Sequence, residues 1–338
     1  MKKTVLITGT AGFIGYHLAE RLLASGHRVV GVDGLTDYYD VHLKRARHER
    51  LSRHSLFTAH VERLEDAGAM MRIVDGCRPE AVVHLAAQAG VRYSLENPRA
   101  YVESNLVGTF NLMEAVRETG TGHLLMASTS SVYGANTEMP FVEGQKADTP
   151  LTLYAATKRA NEHMAHAQAH IWGTPITMLR FFTVYGAWGR PDLALFKFVE
   201  AALADREIDV YNGGEMVRDF TYVEDLTLAI ERLIDVPPPR VSGRSGPAVP
   251  GDTLSPVAPY RVVNIGNGQP VPLMSFIEEI ERALGRPIRK RMLPMQPGDV
   301  PATHADTDLL EALTGAHPTT SVRDGIRTFV DWYLSYHG

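Results

Sequence analysis

A single cysteine, Cys77, among 338 residues excludes an internal disulfide framework and fits a reducing compartment. A small buried hydrophobe is a better reading of it than a nucleophile. No run of ~18 consecutive apolar residues occurs, so no membrane-spanning helix is expected. Met-Lys-Lys precedes an apolar stretch, but Gly9, Gly12 and Gly15 interrupt it and no small-residue cleavage site follows. No export is implied, and a cytoplasmic location is expected. Charge of one sign is lacking too: 34 Lys and Arg against 39 Asp and Glu leave a formal net charge of −5, which disfavours a broad nucleic-acid footprint. An anionic ligand therefore needs locally placed arginines. Neither an internal repeat nor a metal-ligating cluster is read.

What is present is an ordinary globular composition, 44% hydrophobic and 22% charged, in a chain long enough for a core with a second lobe. Short β-branched runs at 4–8, 28–33, 81–85, 123–128 and 176–180 alternate with amphipathic stretches. That rhythm predicts an α/β fold: a Rossmann-type doubly wound parallel sheet, with ligands at the carboxyl ends of its strands. Residues 1–180 are read as this domain, with later segments returning to it. Residues 181–338 are read mainly as a smaller, mixed α/β substrate lobe, with strands at 208–211 and 261–265 and helices after Val223 and from Leu273. Between 236 and 259 the chain is rich in Pro, Gly and Ser and reads as a flexible surface loop.

The opening Val5-Leu6-Ile7-Thr8-Gly9-Thr10-Ala11-Gly12-Phe13-Ile14-Gly15 reads as a strand, a glycine-rich turn and a helix. Glycines at this spacing permit a tight turn, close backbone approach to a pyrophosphate and close helix packing, with the helix N-terminus facing the anion. Asp33 ends the next strand 18 residues beyond Gly15. A carboxylate there accepts ribose hydroxyls and repels a 2′-phosphate, so NAD is favoured over NADP.

Tyr154 and Lys158 stand four apart, one above the other on a helix face. A nearby ammonium and the positive nicotinamide of NAD⁺ would together lower a phenol's pKa toward the operating pH and make it a base. Alone the pair is common on surface helices. The strand ending Ser128-Thr129-Ser130-Ser131 adds four consecutive hydroxyls, which suit a polar ligand or, equally, an N-cap or turn.

Together these segments resemble the extended short-chain dehydrogenases/reductases of the NAD-dependent epimerase/dehydratase type, and the resemblance covers nearly the whole chain. It implies NAD as cofactor, a UDP-sugar as substrate, and Thr129, Tyr154 and Lys158 as the catalytic set. Cofactor contacts carried over by it are Gly9, Gly12, Phe13, Ile14, Gly15, Asp33, Lys44, Glu62, Leu85, Ala86, Ala87, Gln88, Asn105, Ser128 and Phe181, with Tyr154 and Lys158. The segments Asp37-Tyr38-Tyr39-Asp40-Val41, Ala89-Gly90-Val91-Arg92-Tyr93-Ser94 and Arg180-Phe181-Phe182-Thr183-Val184-Tyr185-Gly186 are most similar to the branch that inverts C4 of UDP-glucuronate.

Related dehydratases carry Asp-Glu after the catalytic Thr, and related decarboxylases carry Glu where Ser131 stands; here both positions are serine. Elimination is therefore disfavoured, and Ser130, Ser131 and Thr183 are candidate donors to a sugar carboxylate. By the same resemblance Arg92, Arg190 and Arg218 face the substrate, the last two at its diphosphate. Tyr211 stacks on uracil and Asp299 accepts ribose hydroxyls. Two departures stand out: Glu62-Arg63 replaces Asp and an aliphatic residue beside the adenine, and Ala187 replaces a common proline, which should loosen the loop before Arg190. A neutral UDP-sugar epimerase, a decarboxylase and an NAD-sensing binding protein are the competing readings. A homodimer through paired helices is expected by analogy alone.

Overall fold

Where an apolar run is β-branched and buried on both faces, it falls into one parallel sheet. The computed structural model describes residues 2–240 and 249–338. Its first half runs β1 (Thr4–Thr8), α1 (Phe13–Ala24), β2 (Arg28–Asp33), α2 (Val41–Ser52), β3 (Phe57–Val61), α3 (Ala67–Cys77) and β4 (Ala81–His84). Two short turns of helix follow, α4 (Tyr93–Glu96) and α5 (Pro98–Tyr101), then a π-helical stretch, Val102–Gly108, leading into α6 (Thr109–Thr119). Next come β5 (His123–Thr129), α7 (Leu153–Trp172) and β6 (Ile176–Phe181). The second half comprises β7 (Thr183–Tyr185), α8 (Ala194–Leu203), β8 (Ile208–Tyr211), β9 (Val217–Tyr222), α9 (Val223–Ile234) and β10 (Tyr260–Ile265). It ends with β11 (Pro270–Pro272), α10 (Leu273–Leu284), β12 (Lys290–Leu293), α11 (Asp308–Thr314) and α12 (Val322–His337).

Among the described residues the central sheet has seven strands in the order β10-β6-β5-β4-β1-β2-β3, all parallel. The strand order reverses between β1 and β4, and that switch point opens a crevice at the strands' carboxyl ends. The doubly wound expectation is met. β3 was not legible in the sequence: Phe57-Thr-Ala-His-Val61 is an edge strand, largely exposed, so it lacks the buried apolar run that marks the others.

The later chain divides its loyalties. β10 pairs with β6 at the far edge of the central sheet, and Leu226, Ile230 and Leu233 of α9 pack with Leu18 and Leu22 of α1 in one core. The strand read at 261–265 thus belongs to the large sheet. The smaller lobe is built from the three-stranded sheet β11-β9-β7 and the pair β12-β8. It closes over a separate aromatic core in which Phe220 stacks on Phe276 at 3.9 Å.

Of the loop expected at 236–259, residues 241–248 lie outside the described residues. The following stretch is fastened rather than loose. Thr253 exchanges hydrogen bonds with the backbone of Val262, at 2.6 and 2.9 Å, Arg261 pairs with Asp252 at 3.1 Å, and His166 and His170 of α7 bond Ser255 and the Val257 carbonyl, both at 2.8 Å. Side-chain and backbone partners on β10 and α7 supply the anchorage that the composition lacks.

Candidate active site

A cleft of about 1220 Å³ runs from the β1/β4 switch point to the inner face of the smaller lobe. Its cofactor end is shaped by the glycines. Gly9 has φ +82°, and a Cβ on Gly15 would lie 2.0 Å from the Gly9 carbonyl oxygen. Only hydrogen at both positions lets α1 start this close to the turn. The Asp33 carboxylate accepts N–H bonds from Ala11 (2.9 Å) and Leu35 (2.8 Å), one on each oxygen, leaving lone pairs toward the cleft. Phe13, Ile14, Gly12, Lys44 and Glu62 line the same end. The Lys44 ammonium donates to the Thr36 carbonyl at 2.6 Å and lies 4.3 Å from the Tyr39 ring centre; burial lowers its pKa. Arg63, at the same end of the cleft, pairs with Glu65 at 3.2 Å.

Leu85, Ala86, Ala87 and Gln88 form the opposite wall, held by buried polar side chains. Thr8 Oγ1 accepts from the N–H groups of Leu85 (3.2 Å) and Ala86 (3.1 Å), so its own proton goes to His84 Nδ1, 2.7 Å away. The Nε2–H of His84 then faces Thr109 Oγ1 at 2.9 Å. Burial holds the His84 pKa down to about 3, so the relay is neutral. Asn105 does not line the cleft. It sits fully buried in the π-helical stretch, where its side chain accepts from Gln88 N (2.8 Å) and donates to Gln88 O (3.0 Å) and Thr157 (3.1 Å). In this structure its side chain holds the backbone of Gln88, itself a residue of the cleft wall.

Thr129 ends β5, Tyr154 lies in the first turn of α7 after the N-cap Thr152, and Lys158 follows one turn later. All three line the middle of the cleft, with Phe181 beside them. Lys158 donates to the Ala127 carbonyl at 3.0 Å, and burial pushes its pKa down to about 8. Burial raises Tyr154, opposed by its hydrogen bond with Thr129 and by the charge of Arg190. In the chain without its cofactor, loss of water around the phenolate outweighs the neighbouring charge, so the lowering expected from Lys158 together with the nicotinamide needs the nicotinamide.

The four hydroxyls divide. Ser128 turns its hydroxyl inward and donates to Glu162 Oε1 at 2.6 Å, while the residue still borders the cleft. Glu162 also takes Arg180 (2.9 and 2.8 Å) and Arg159 (2.6 Å), so a buried ion cluster locks the α7 helix to β5 and β6. Thr129 does cap the following turn, accepting from Ser131 N at 3.2 Å, while Ser130 and Ser131 border the cleft with Thr183. The capping and ligand readings of this cluster are compatible.

At the smaller lobe, Arg218 donates to the carbonyls of Val300 (2.7 Å), Val217 (2.9 Å) and Pro301 (3.2 Å). Burial lowers its pKa, with Asp299 opposing; its charge has no ion-pair partner among the described residues. Arg190 instead forms a forked pair with Asp192, whose other contact is the Tyr38 hydroxyl at 3.1 Å. Arg92 spans the cleft mouth, 4.5 Å above the Tyr211 ring and 3.6 Å from Asp299. Tyr38, Asp192 and Lys197 also line the cleft and were not named as site residues; the signal for Lys197 was one lysine in the otherwise apolar Ala-Leu-Phe-Lys-Phe opening of α8.

A glycine-rich dinucleotide turn facing a Thr, Tyr and Lys set across one cleft defines a short-chain dehydrogenase/reductase-type enzyme. More narrowly, residues 5–244 match the NAD dependent epimerase/dehydratase family, and the chain belongs to that family. It is 57% identical to a probable UDP-glucuronate 4-epimerase of Rhizobium meliloti, over 97% of this chain and 96% of that protein. The fold matches UDP-glucuronic acid 4-epimerase from Bacillus cereus, solved with UDP-glucuronic acid and NAD, at a TM-score of 0.84 and 29% identity, covering 98% of this chain and 99% of that one. It also matches Thermus thermophilus UDP-glucose 4-epimerase solved with NAD, at a TM-score of 0.82 and 28% identity over 98% and 99% of the two chains. No described helix is long and apolar enough to cross a membrane.

Proposed function

We propose that this enzyme interconverts UDP-glucuronate and UDP-galacturonate by NAD-dependent epimerisation at C4. The observation that carries the reading is the end of β5, where Thr129 faces Tyr154 and is followed by Ser130 and Ser131, hydroxyls at positions where elimination needs acids. A cofactor fits the other half of the cleft: the glycine turn leaves a cradle that a Cβ would fill, and Asp33 keeps lone pairs for ribose hydroxyls. NAD⁺, when bound, supplies the hydride acceptor at C4 and a positive charge beside the phenol.

The chain's own residues do the rest. Tyr154 takes and returns the proton of the C4 hydroxyl, and Thr129 orients that hydroxyl. Lys158 holds charge beneath the phenol and reaches the cofactor's ribose. Ser130, Ser131 and Thr183 bind the carboxylate, which keeps it from leaving as CO₂. Arg218 and Arg190 meet the diphosphate, Tyr211 the uracil, Asp299 its ribose, and Arg92 closes over them. The sugar must turn over between the two half-reactions, so its grip is on the nucleotide. Assembly as a homodimer and a cytoplasmic location belong to the same reading; Val102, Val107 and Phe110, exposed along the π-helical stretch and α6, offer the apolar face for a second copy.

The test is incubation of the purified protein with NAD⁺ and UDP-glucuronate, in parallel with UDP-glucose, followed by chromatography with mass detection. An isobaric uronate product, absent from a Tyr154→Phe control, is expected. A UDP-pentose would refute the role given to Ser130 and Ser131, and turnover of UDP-glucose alone would move the substrate to the neutral sugar.

A further inference from the structure

Arg47 is fully buried and has no carboxylate partner among the described residues. Its Nη1 donates to the Ala11 carbonyl in the glycine turn (2.8 Å) and to the Tyr39 hydroxyl (2.7 Å). Nη2 donates to the carbonyls of Trp188 (2.6 Å) and Gly189 (3.2 Å), the two residues ahead of Arg190. Trp188 has φ +56°, a left-handed conformation that a bulky residue adopts only when its surroundings impose it. Those surroundings are visible. His17 Nε2 bonds the Ala187 carbonyl at 2.8 Å, and the Trp188 ring packs against Tyr16, Trp332 and Tyr336 at 5.1 to 5.5 Å. The loop that alanine at 187 was expected to loosen is pinned from three sides.

We propose that Arg47 is a positioning residue: it imposes the backbone turn at Trp188 and Gly189 that aims Arg190 at the diphosphate of a bound nucleoside diphosphate. This rests on the role given above to Arg190. A guanidinium suits the task because its two nitrogens diverge in one plane, one onto the cofactor lobe and the other onto the loop. A lysine in its place can reach one side and not both. Arg47 itself does not line the cleft.

The test titrates UDP calorimetrically into NAD-saturated wild-type protein, Arg47→Lys, Arg190→Ala and the double variant, and measures KM and kcat for the sugar nucleotide. Arg47→Lys is expected to weaken UDP about tenfold and to raise KM with kcat within about twofold, the pattern of lost uniform binding. Arg190→Ala is expected to weaken UDP at least as much, and the double variant to be no weaker than Arg190→Ala, because one residue acts through the other. Wild-type affinity in Arg47→Lys, no effect of Arg190→Ala, or losses that multiply in the double variant would each overturn the proposal. If Arg47→Lys does not fold, Tyr39→Phe removes one anchor of the same guanidinium. It should weaken UDP about twofold in the wild-type background and not at all beside Arg190→Ala; equal losses in both overturn the proposal. UDP binding is read without turnover, so failure of the epimerase reading registers separately, in the product assay.

Discussion

Lys158 should cost the cofactor-free protein stability, and replacing it with methionine should return that stability while abolishing turnover. The side chain is 3% exposed and has no acidic partner among the described residues; burial alone lowers its pKa from 10.5 to about 8. The gap corresponds to about 3 kcal/mol against the folded state while the lysine is charged. Methionine, of similar length, removes that penalty but leaves the Ala127 carbonyl without a donor, a loss of about 1 kcal/mol. The net gain is about 2 kcal/mol. With an unfolding entropy of about 2.1 cal/mol/K per residue, this chain loses about 0.7 kcal/mol per degree near its midpoint, so the gain amounts to about 3 °C. The sign with pH follows from the lowered pKa: the penalty is complete below pH 8, falls as the folded lysine deprotonates, and is gone above the unfolded value near 10.5. Thermal melts of both proteins without cofactor, at pH 7 and pH 10, measure this. A Lys158→Met variant no more stable than wild type at pH 7, or an advantage that persists unchanged at pH 10, refutes the reasoning.

Two further outcomes follow from the packing. Gly15→Ala puts a carbon 2.0 Å from a backbone oxygen that cannot move without opening the turn; a cost of about 1–3 kcal/mol should appear as NAD affinity about 10- to 100-fold weaker by fluorescence titration. Glu162→Gln leaves the buried Arg180 without its counter-charge and should lower stability by about 3 kcal/mol or more in urea melts. Burial raises Glu162, but the Arg180 hydrogen bonds and charge bring it below the usual carboxylate value. Its contribution is therefore present above the unfolded carboxylate pKa and lost as pH falls through the folded one. The difference between wild type and variant should shrink in acid.

The parallel strands were legible because each of β1, β2, β5 and β6 is a short, largely buried apolar run, β-branched in β1 and β2, and the glycine turn because steric exclusion leaves glycine no substitute there. What escaped is set by tertiary contact. β3 is an edge strand with no apolar stripe, and the π-helical stretch around Asn105 carries no composition that distinguishes it from the helix it enters. Arg47 and Glu162 read as ordinary charged helix residues, because burial is not written in a charged letter. Ser128 and Asn105 show the same limit: their segments were legible, but the buried partners of their side chains, Glu162 and Gln88, were not.

The place of β10 has a consequence for how the protein is made. The sheet's outer edge at β6 stays open until a strand synthesised roughly 80 residues later arrives, and at about 5–20 residues per second that interval is on the order of 4–16 s. During it the ribosome presents a bare apolar strand edge, the kind that templates association with other chains. The intervening residues 183–234 supply β7 through α9 in that time, so the nascent chain carries part of its smaller lobe beside an unfinished sheet; β10 then closes the sheet, and the lobe waits for β11 and β12, which follow it.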